Sequence, residues 1–171
     1  MSNSEIVWNL PTRIIHWLIA IPVLLNFFIE GGDRPHKVLG YVALAALVLR
    51  IIWGFKSASQ FAHFRHFPLK AKEVLAYANS LTKTEHKSYK AHNPLASWIY
   101  IFIWILVLLL GITGFMMGLD AYWGEEWLEE LHESLSSGMK VLVLLHFVGI
   151  IVDSIKHKRK TWLGMITGKK Q

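Results

Sequence analysis

Apolar residues fall into four long runs along the chain, and charged residues cluster between these runs. The first run has sixteen uncharged residues between Arg13 and Glu30. The predicted spans lie at about 13–30, 36–55, 94–119 and 131–153. Each is close to, or longer than, the ~20 residues that an α-helix needs to cross a bilayer. The pattern predicts an all-α integral membrane protein, a single membrane domain over residues 1–171 with four spanning helices.

The connections between the runs differ in length. Residues 56–93 form a long loop, in which PLKAKEVLAYANSLT predicts a short interfacial helix, and residues 154–171 form a basic tail. Asn93-Pro94, before the third run, is a typical helix start. The N-terminal MSNSEIVWNLPTR lacks the basic start of a cleavable signal peptide, so we expect the first span to be retained.

The distribution of lysine and arginine predicts the orientation. Loop 56–93 has seven basic residues against two acidic ones, and the tail after Asp153 has six against none, whereas residues 119–133 contain six acids and no base. Because basic segments stay on the cytoplasmic side, we expect both termini and the long loop on the cytoplasmic side of the membrane. Two short outer links and one long inner loop then favour a four-helix up-and-down bundle.

The net charge of +6 follows from this topology. Basic residues at the cytoplasmic surface also bind anionic membrane lipid. We therefore expect lipid contact and no nucleic-acid partner.

Histidine is the main candidate ligand, because the chain has no cysteine. That absence excludes disulfides, thiolate metal sites, iron–sulfur clusters and covalently attached c-type haem. Four of the nine histidines lie inside or at the ends of the spans, where ionisable residues are costly and suggest function. They are His16, His36, His132 and His146. Most of the others fall in basic segments, where surface histidine is common.

The depths of these four histidines sort into two levels. His132 opens the fourth span on the outer side, and His146 follows fourteen residues later, ~21 Å deeper at ~1.5 Å per residue. Fourteen steps of ~100° end within ~40° of a whole number of turns, so both imidazoles share one helix face. His36 opens the second span on the outer side, and His16 lies about one turn into the first span from the inner side. We call His36 and His132 the outer pair, and His16 and His146 the inner pair.

Two histidine pairs at two levels favour two non-covalent b-type haems. A porphyrin leaves one axial position on each face of its iron, and one histidine from each of two helices fills both positions. Zinc or copper requires more than two close ligands, and neither level offers an Asp or a third His. Two alternatives stay open: four separate core histidines bonded to carbonyls, and His92 as the partner of His16.

Two cationic side chains also lie within the spans. Arg50 follows His36 by fourteen residues, so it projects from the same face of the second span at the inner level. There it would bind haem propionates; the alternative is an arginine whose head snorkels to the interface. Lys140 has no evident partner in the sequence.

Several motifs together resemble the bacterial cytochrome b561 and nickel-iron hydrogenase b-type cytochrome family. They are TRIIHW in span one, HKVLGY followed by Arg50 in span two, AHNPLASWIYI before span three, HESLSSGMKVLVLLH in span four, and the basic tail. The resemblance covers nearly the whole chain. It implies a four-helix dihaem membrane protein that exchanges electrons with quinone, and it gives the ligand role to His16, His36, His132 and His146.

The expected function is therefore that of a dihaem b-type cytochrome between the membrane quinone pool, ubiquinone or menaquinone, and a redox partner. We assign no catalytic residue, because two protein ligands on each iron leave no open site, and quinone oxidoreductase activity stays open. The acidic outer link, with Trp123 and Trp127, is either a docking patch for a periplasmic c-type cytochrome or dehydrogenase subunit, or a solvated loop.

Three other functions remain as alternatives. A quinone-reducing superoxide oxidase would need a basic funnel, against which the six outer acids argue. A membrane anchor of a hydrogenase-like complex would be a subunit and not an independent enzyme. A haem-free transporter would show inverted repeats or interrupted helices, and the sequence shows neither.

Overall fold

The structure is a computed structural model that describes residues 6–29, 31–59, 61–80, 89 and 91–169. Within these ranges the chain is helical and has no β-strand. An isolated bridge joins Ile6 to Lys169. Six α-helices follow one another: α1 Leu10–Asn26, α2 Arg34–Lys56, α3 Ala71–Ser80, α4 Pro94–Met116, α5 Glu126–Lys156 and α6 Gly164–Thr167. The all-α fold expected from the sequence is confirmed.

Three of these helices, α2, α4 and α5, are long and apolar enough to cross a membrane. The apolar α1 has 17 residues, which at ~1.5 Å per residue gives ~25 Å, close to the thickness of the hydrocarbon core. Short α3 lies in the segment between α2 and α4. The chain is therefore a helical membrane protein.

Local sequence explains where the long helices begin. Asn9 caps α1 by accepting a hydrogen bond from the Thr12 backbone N–H, at 3.2 Å. Asn93 caps α4 in the same way through Ala96 N–H, at 2.7 Å. Proline occupies the first turn of α1, α2 and α4, where its missing N–H costs nothing.

Neighbouring helices run antiparallel and pack in sequence order, α1 on α2, α2 on α4 and α4 on α5. All four contribute to one buried core, made of Ile15, Ile19, Ala43, Ala46, Leu47, Val107 and Met139. Along the described chain, α5 makes few or no close backbone approaches to α1 or α2. The face of α5 that is turned toward α1 and α2 therefore meets them mainly through side chains.

Candidate functional site

The outer pair meets between α2 and α5. His36 lies in the first turn of α2, and His132 lies in the second turn of α5. Their ring centroids are 6.2 Å apart, and the ring planes are inclined by 59°. The structure thus brings together two histidines that are separated by 96 positions, from 36 to 132.

His132 has a defined partner for one of its ring nitrogens. Its Nδ1 lies 2.7 Å from Oγ1 of Thr113, which is on α4. A Cβ atom added to Gly114 would lie 3.4 Å from His132 Cε1, so the Nδ1–Cε1 edge of the ring lies against α4. Nε2 is then the nitrogen that remains for a second partner.

His36 differs from His132 in its surroundings. Its Nδ1 is buried and has no hydrogen-bond partner among the described residues. The Asn26 side chain donates to the His36 carbonyl at 3.2 Å and so ties the end of α1 to the first turn of α2.

The inner pair meets between α1 and α5. His16 and His146 have ring centroids 6.5 Å apart and planes inclined by 54°. Trp17 contacts the edge of His16 at 5.3 Å, and Tyr100 of α4 contacts His146 at 5.6 Å. Both histidines are partly buried among these aromatic rings.

Both centroid distances fit a metal held between two imidazoles. Two histidine–metal bonds of about 2.0 Å place the two ligating nitrogens about 4 Å apart, so the ring centres lie farther apart than that. The observed 6.2 and 6.5 Å are compatible with this spacing. In the described ranges, no group of three or more His, Cys, Asp or Glu side chains is placed to hold a metal ion. Each pair therefore offers two imidazoles.

The chain matches the family model of prokaryotic cytochrome b561 over residues 7–168. It belongs to the prokaryotic cytochrome b561 family. No curated protein and no solved structure shows a significant match to it. Membership supports a membrane b-type cytochrome in electron transfer and implies binding of b-type haem. The resemblance that the sequence motifs indicated is confirmed.

His92 of this cytochrome contacts a backbone carbonyl and several aromatic rings. Its Nε2 lies 3.0 Å from the Phe61 carbonyl, to which it donates because a carbonyl only accepts. Its ring contacts Phe67 at 4.0 Å and Tyr100 at 5.7 Å. The structure thus pairs His16 with His146 and connects His92 to that pair through Tyr100.

Arg50 is buried, with 5% of its surface exposed. Its Nη2 donates to the Ala62 carbonyl at 3.3 Å, and its guanidinium lies 4.9 Å from the Phe64 ring and 5.1 Å from the Trp104 ring. Nη1 is buried and has no hydrogen-bond partner among the described residues. The Arg50 head is therefore covered by protein and does not extend into solvent.

Asp153, near the end of α5, is a buried carboxylate that the sequence analysis did not identify as a structural group. It accepts hydrogen bonds from Arg159 Nη2 at 2.7 Å and from Thr161 Oγ1 at 2.5 Å. Burial, together with the negative charge of Asp153, raises the pKa of Tyr77 in α3. The sequence signal was a lone acid within a basic segment, but only the fold shows its partners.

Lys140 and the acidic link are exposed. Lys140 has no hydrogen bond or ion pair with the part of the chain that is described. Trp123 is 78% exposed, and Trp127 donates to Glu125 at 3.0 Å.

Proposed function

We propose that the protein is a dihaem b-type membrane cytochrome that transfers electrons between the membrane quinone pool and a redox partner. His36 and His132 would hold one haem, and His16 and His146 the other. The observation that carries the proposal is the pair of imidazole separations, 6.2 and 6.5 Å, each of which fits one iron between two rings.

The packing of the helices supports the same assignment. A porphyrin needs a space between the helices that supply its ligands, and α5 makes few or no close backbone approaches to α1 or α2 along the described chain. The face of α5 that carries His132 and His146 is the face turned toward these two helices. Two planar cofactors fit this arrangement better than a metal ion alone.

When bound, each haem supplies an iron that accepts and releases one electron. Two imidazoles at each level would hold the iron, so the chemistry that each haem would supply is electron transfer and not binding of oxygen or a substrate. The residues of the chain therefore bind, orient and insulate the electron carriers, and they take no part in bond making.

Arg50 would bind a propionate of the inner haem. Its buried Nη1 is a charged donor without a hydrogen-bond acceptor in the described ranges, and such donors are costly unless an anion pairs with them. A guanidinium binds a carboxylate through two parallel N–H groups. Phe64 and Trp104 stack on the guanidinium and keep water away from it.

Quinone would bind in the bilayer beside one of the two levels, and the partner would dock at an aqueous end. The excess of basic residues in the long loop and the C-terminal tail supports a cytoplasmic location for the end of the bundle that carries them, in a bacterial inner membrane. The acidic link at the opposite end would meet a basic periplasmic protein, such as a c-type cytochrome or a dehydrogenase subunit.

Single histidine substitutions test the assignment. His36→Ala and His132→Ala should each lose the outer haem, and His16→Ala and His146→Ala should each lose the inner one. Redox titration of the α-band absorbance in the purified variants separates the two haems. His66→Ala, which removes an exposed histidine, is the matched control and should retain both haems.

The grouping of the four variants decides the outcome. Loss of the inner haem in His92→Ala with retention in His16→Ala would contradict the pairing. Retention of both haems in His132→Ala would contradict the ligand role of α5.

A further inference from the structure

His132 is the one proposed ligand whose ring nitrogen hydrogen-bonds a side chain in the described part of the protein. Its Nδ1 lies 2.7 Å from Thr113 Oγ1. Nδ1 of His36, its partner in the outer pair, is buried without a hydrogen-bond partner there. The two histidines of the outer pair are thus held differently.

The direction of the Thr113 hydrogen bond follows from its other contacts. Thr113 Oγ1 lies 2.9 Å from the Leu109 carbonyl and 3.3 Å from the Leu110 carbonyl. A hydroxyl has one proton to donate, carbonyls can only accept, and a helical threonine commonly donates to the carbonyl four residues earlier. The Thr113 oxygen then accepts from Nδ1–H of His132.

This hydrogen bond selects one tautomer of His132. With the proton on Nδ1, the lone pair that binds a metal is on Nε2. A Cβ atom at position 114 would lie in ordinary van der Waals contact with the His132 ring, 3.4 Å from Cε1, so this edge of the ring lies directly against α4. Two consecutive hydrogen bonds, from Thr113 to the Leu109 carbonyl and from His132 to Thr113, therefore fix the orientation of the His132 ring.

We propose that Thr113 is a positioning residue that holds His132 with Nε2 available to the outer iron and makes its imidazole a stronger electron donor. The inference rests on the proposed function, because it assigns a role in holding the outer haem. An acceptor on the second nitrogen raises the basicity of a metal-bound imidazole, which favours ferric over ferrous iron. Thr113 therefore lowers the reduction potential of the outer haem and leaves that of the inner haem unchanged.

The test compares side chains at position 113 in the purified full-length protein. Thr113→Val keeps the shape and removes the hydroxyl, and Thr113→Ser keeps the hydroxyl. Redox titration followed by visible absorbance should show the outer potential rising in Thr113→Val. A tenfold change in the ratio of the imidazole's affinities for ferric and ferrous iron corresponds to about 59 mV in the reduction potential for one electron. Thr113→Ser should restore the wild-type value.

A matched control removes another buried hydroxyl of α4. Ser97 donates to the Asn93 carbonyl at 3.0 Å, and within the described part of the chain its hydroxyl bonds no proposed ligand. Ser97→Ala should leave the outer potential unchanged. Should Thr113→Val not fold, Thr113→Ala against Thr113→Ser makes the same comparison, with one hydroxyl as the difference. The His146→Ala variant identifies the outer component, because it retains only that haem.

The outcomes separate this inference from the proposed function. Wild-type protein without haem would refute the proposed function. Wild-type protein with two haems, and an outer potential that is the same in Thr113→Val and Thr113→Ser, would overturn only the role of Thr113. Equal shifts of both potentials would also overturn it, since the hydrogen bond reaches one level alone.

Discussion

A histidine that binds a metal through one ring nitrogen still has a second nitrogen, whose partner sets the orientation of the ring. In this cytochrome that partner is defined for His132, through Thr113. At the inner level, Trp17 and Tyr100 enclose the imidazoles of His16 and His146. At the residue scale, a hydrogen bond thus orients one histidine of the outer pair, and aromatic rings surround both histidines of the inner pair.

Arg50 provides a prediction at this scale. A hydrogen bond to a charged group contributes about 1.5–3 kcal/mol, so Arg50→Gln should weaken binding of the inner haem roughly tenfold or more. Arg50→Lys keeps the charge but lacks the planar pair of donors, so its effect should be intermediate. Release of haem to an acceptor protein measures the affinity. Arg65→Gln, which changes an exposed arginine, is the control and should leave haem affinity unchanged. If Arg50→Gln weakened the binding of both haems equally, the propionate role would be contradicted.

Residue-level prediction from sequence succeeds where helix periodicity supplies the geometry. The fourteen-residue spacing of His132 and His146 places both on one face, and the structure brings each close to its expected partner. Thr113 was not predicted, because a threonine in an apolar helix ordinarily bonds its own backbone. Its contact with His132 depends on the register between α4 and α5, which no local pattern determines.

At the scale of elements, α4 and α5 align along a seven-residue repeat. Tyr100 contacts His146 at one end, and Gly114 approaches His132 at the other. Val107 and Met139, midway along each helix, lie in the buried core. The two histidine levels are therefore separated by a layer of apolar side chains.

The contact of Gly54 with Phe64 gives a prediction about how α2 packs. A Cβ atom at Gly54 would overlap the Phe64 ring, so the ring that covers Arg50 would have to move. Gly54→Ala should destabilise the protein by about 1–3 kcal/mol, the usual cost of overpacking. Thermal denaturation in detergent measures the change. Gly149→Ala is the control, because nothing lies within 4 Å of that Cβ; equal destabilisation in both variants would refute the packing argument.

Helix boundaries show a limit of sequence prediction. The apolar run of the fourth span was placed at about 131–153, whereas α5 extends over Glu126–Lys156. An apolar run predicts the part of a helix that lies in lipid, and charged turns continue the helix beyond it. Glu126 and Glu129 favour the N-terminus of α5 through the helix dipole, although they contribute nothing to hydropathy.

At the scale of the whole molecule, the chain termini and the long loop meet at one end. The backbone N–H groups of Val7 and Trp8 donate to the Gly168 carbonyl, at 2.9 and 3.0 Å. Gly168 has φ +81°, and a Cβ there would lie 2.7 Å from the Trp8 carbonyl oxygen, so glycine is required at this turn. Trp8 also contacts His92 at 4.9 Å. This end holds most of the basic residues, and the opposite end holds the acidic link.

The charge difference between the ends predicts the orientation in the membrane. Single cysteines at Lys70 and Ala121, both exposed, should react with membrane-impermeant thiol reagents from opposite sides, Ala121→Cys from the periplasm. The wild-type chain has no cysteine, so it provides an unlabelled control. Periplasmic labelling of Lys70→Cys would reverse the orientation and exchange the inner and outer levels.

The central claim is that one chain holds two haems, each between two histidines. A pyridine haemochrome assay on the purified full-length protein, expressed with ample haem, measures it directly. We predict about two non-covalent haem b per chain, extractable by acid acetone because the chain has no cysteine for thioether bonds. A ratio of one haem or none per chain would contradict the account.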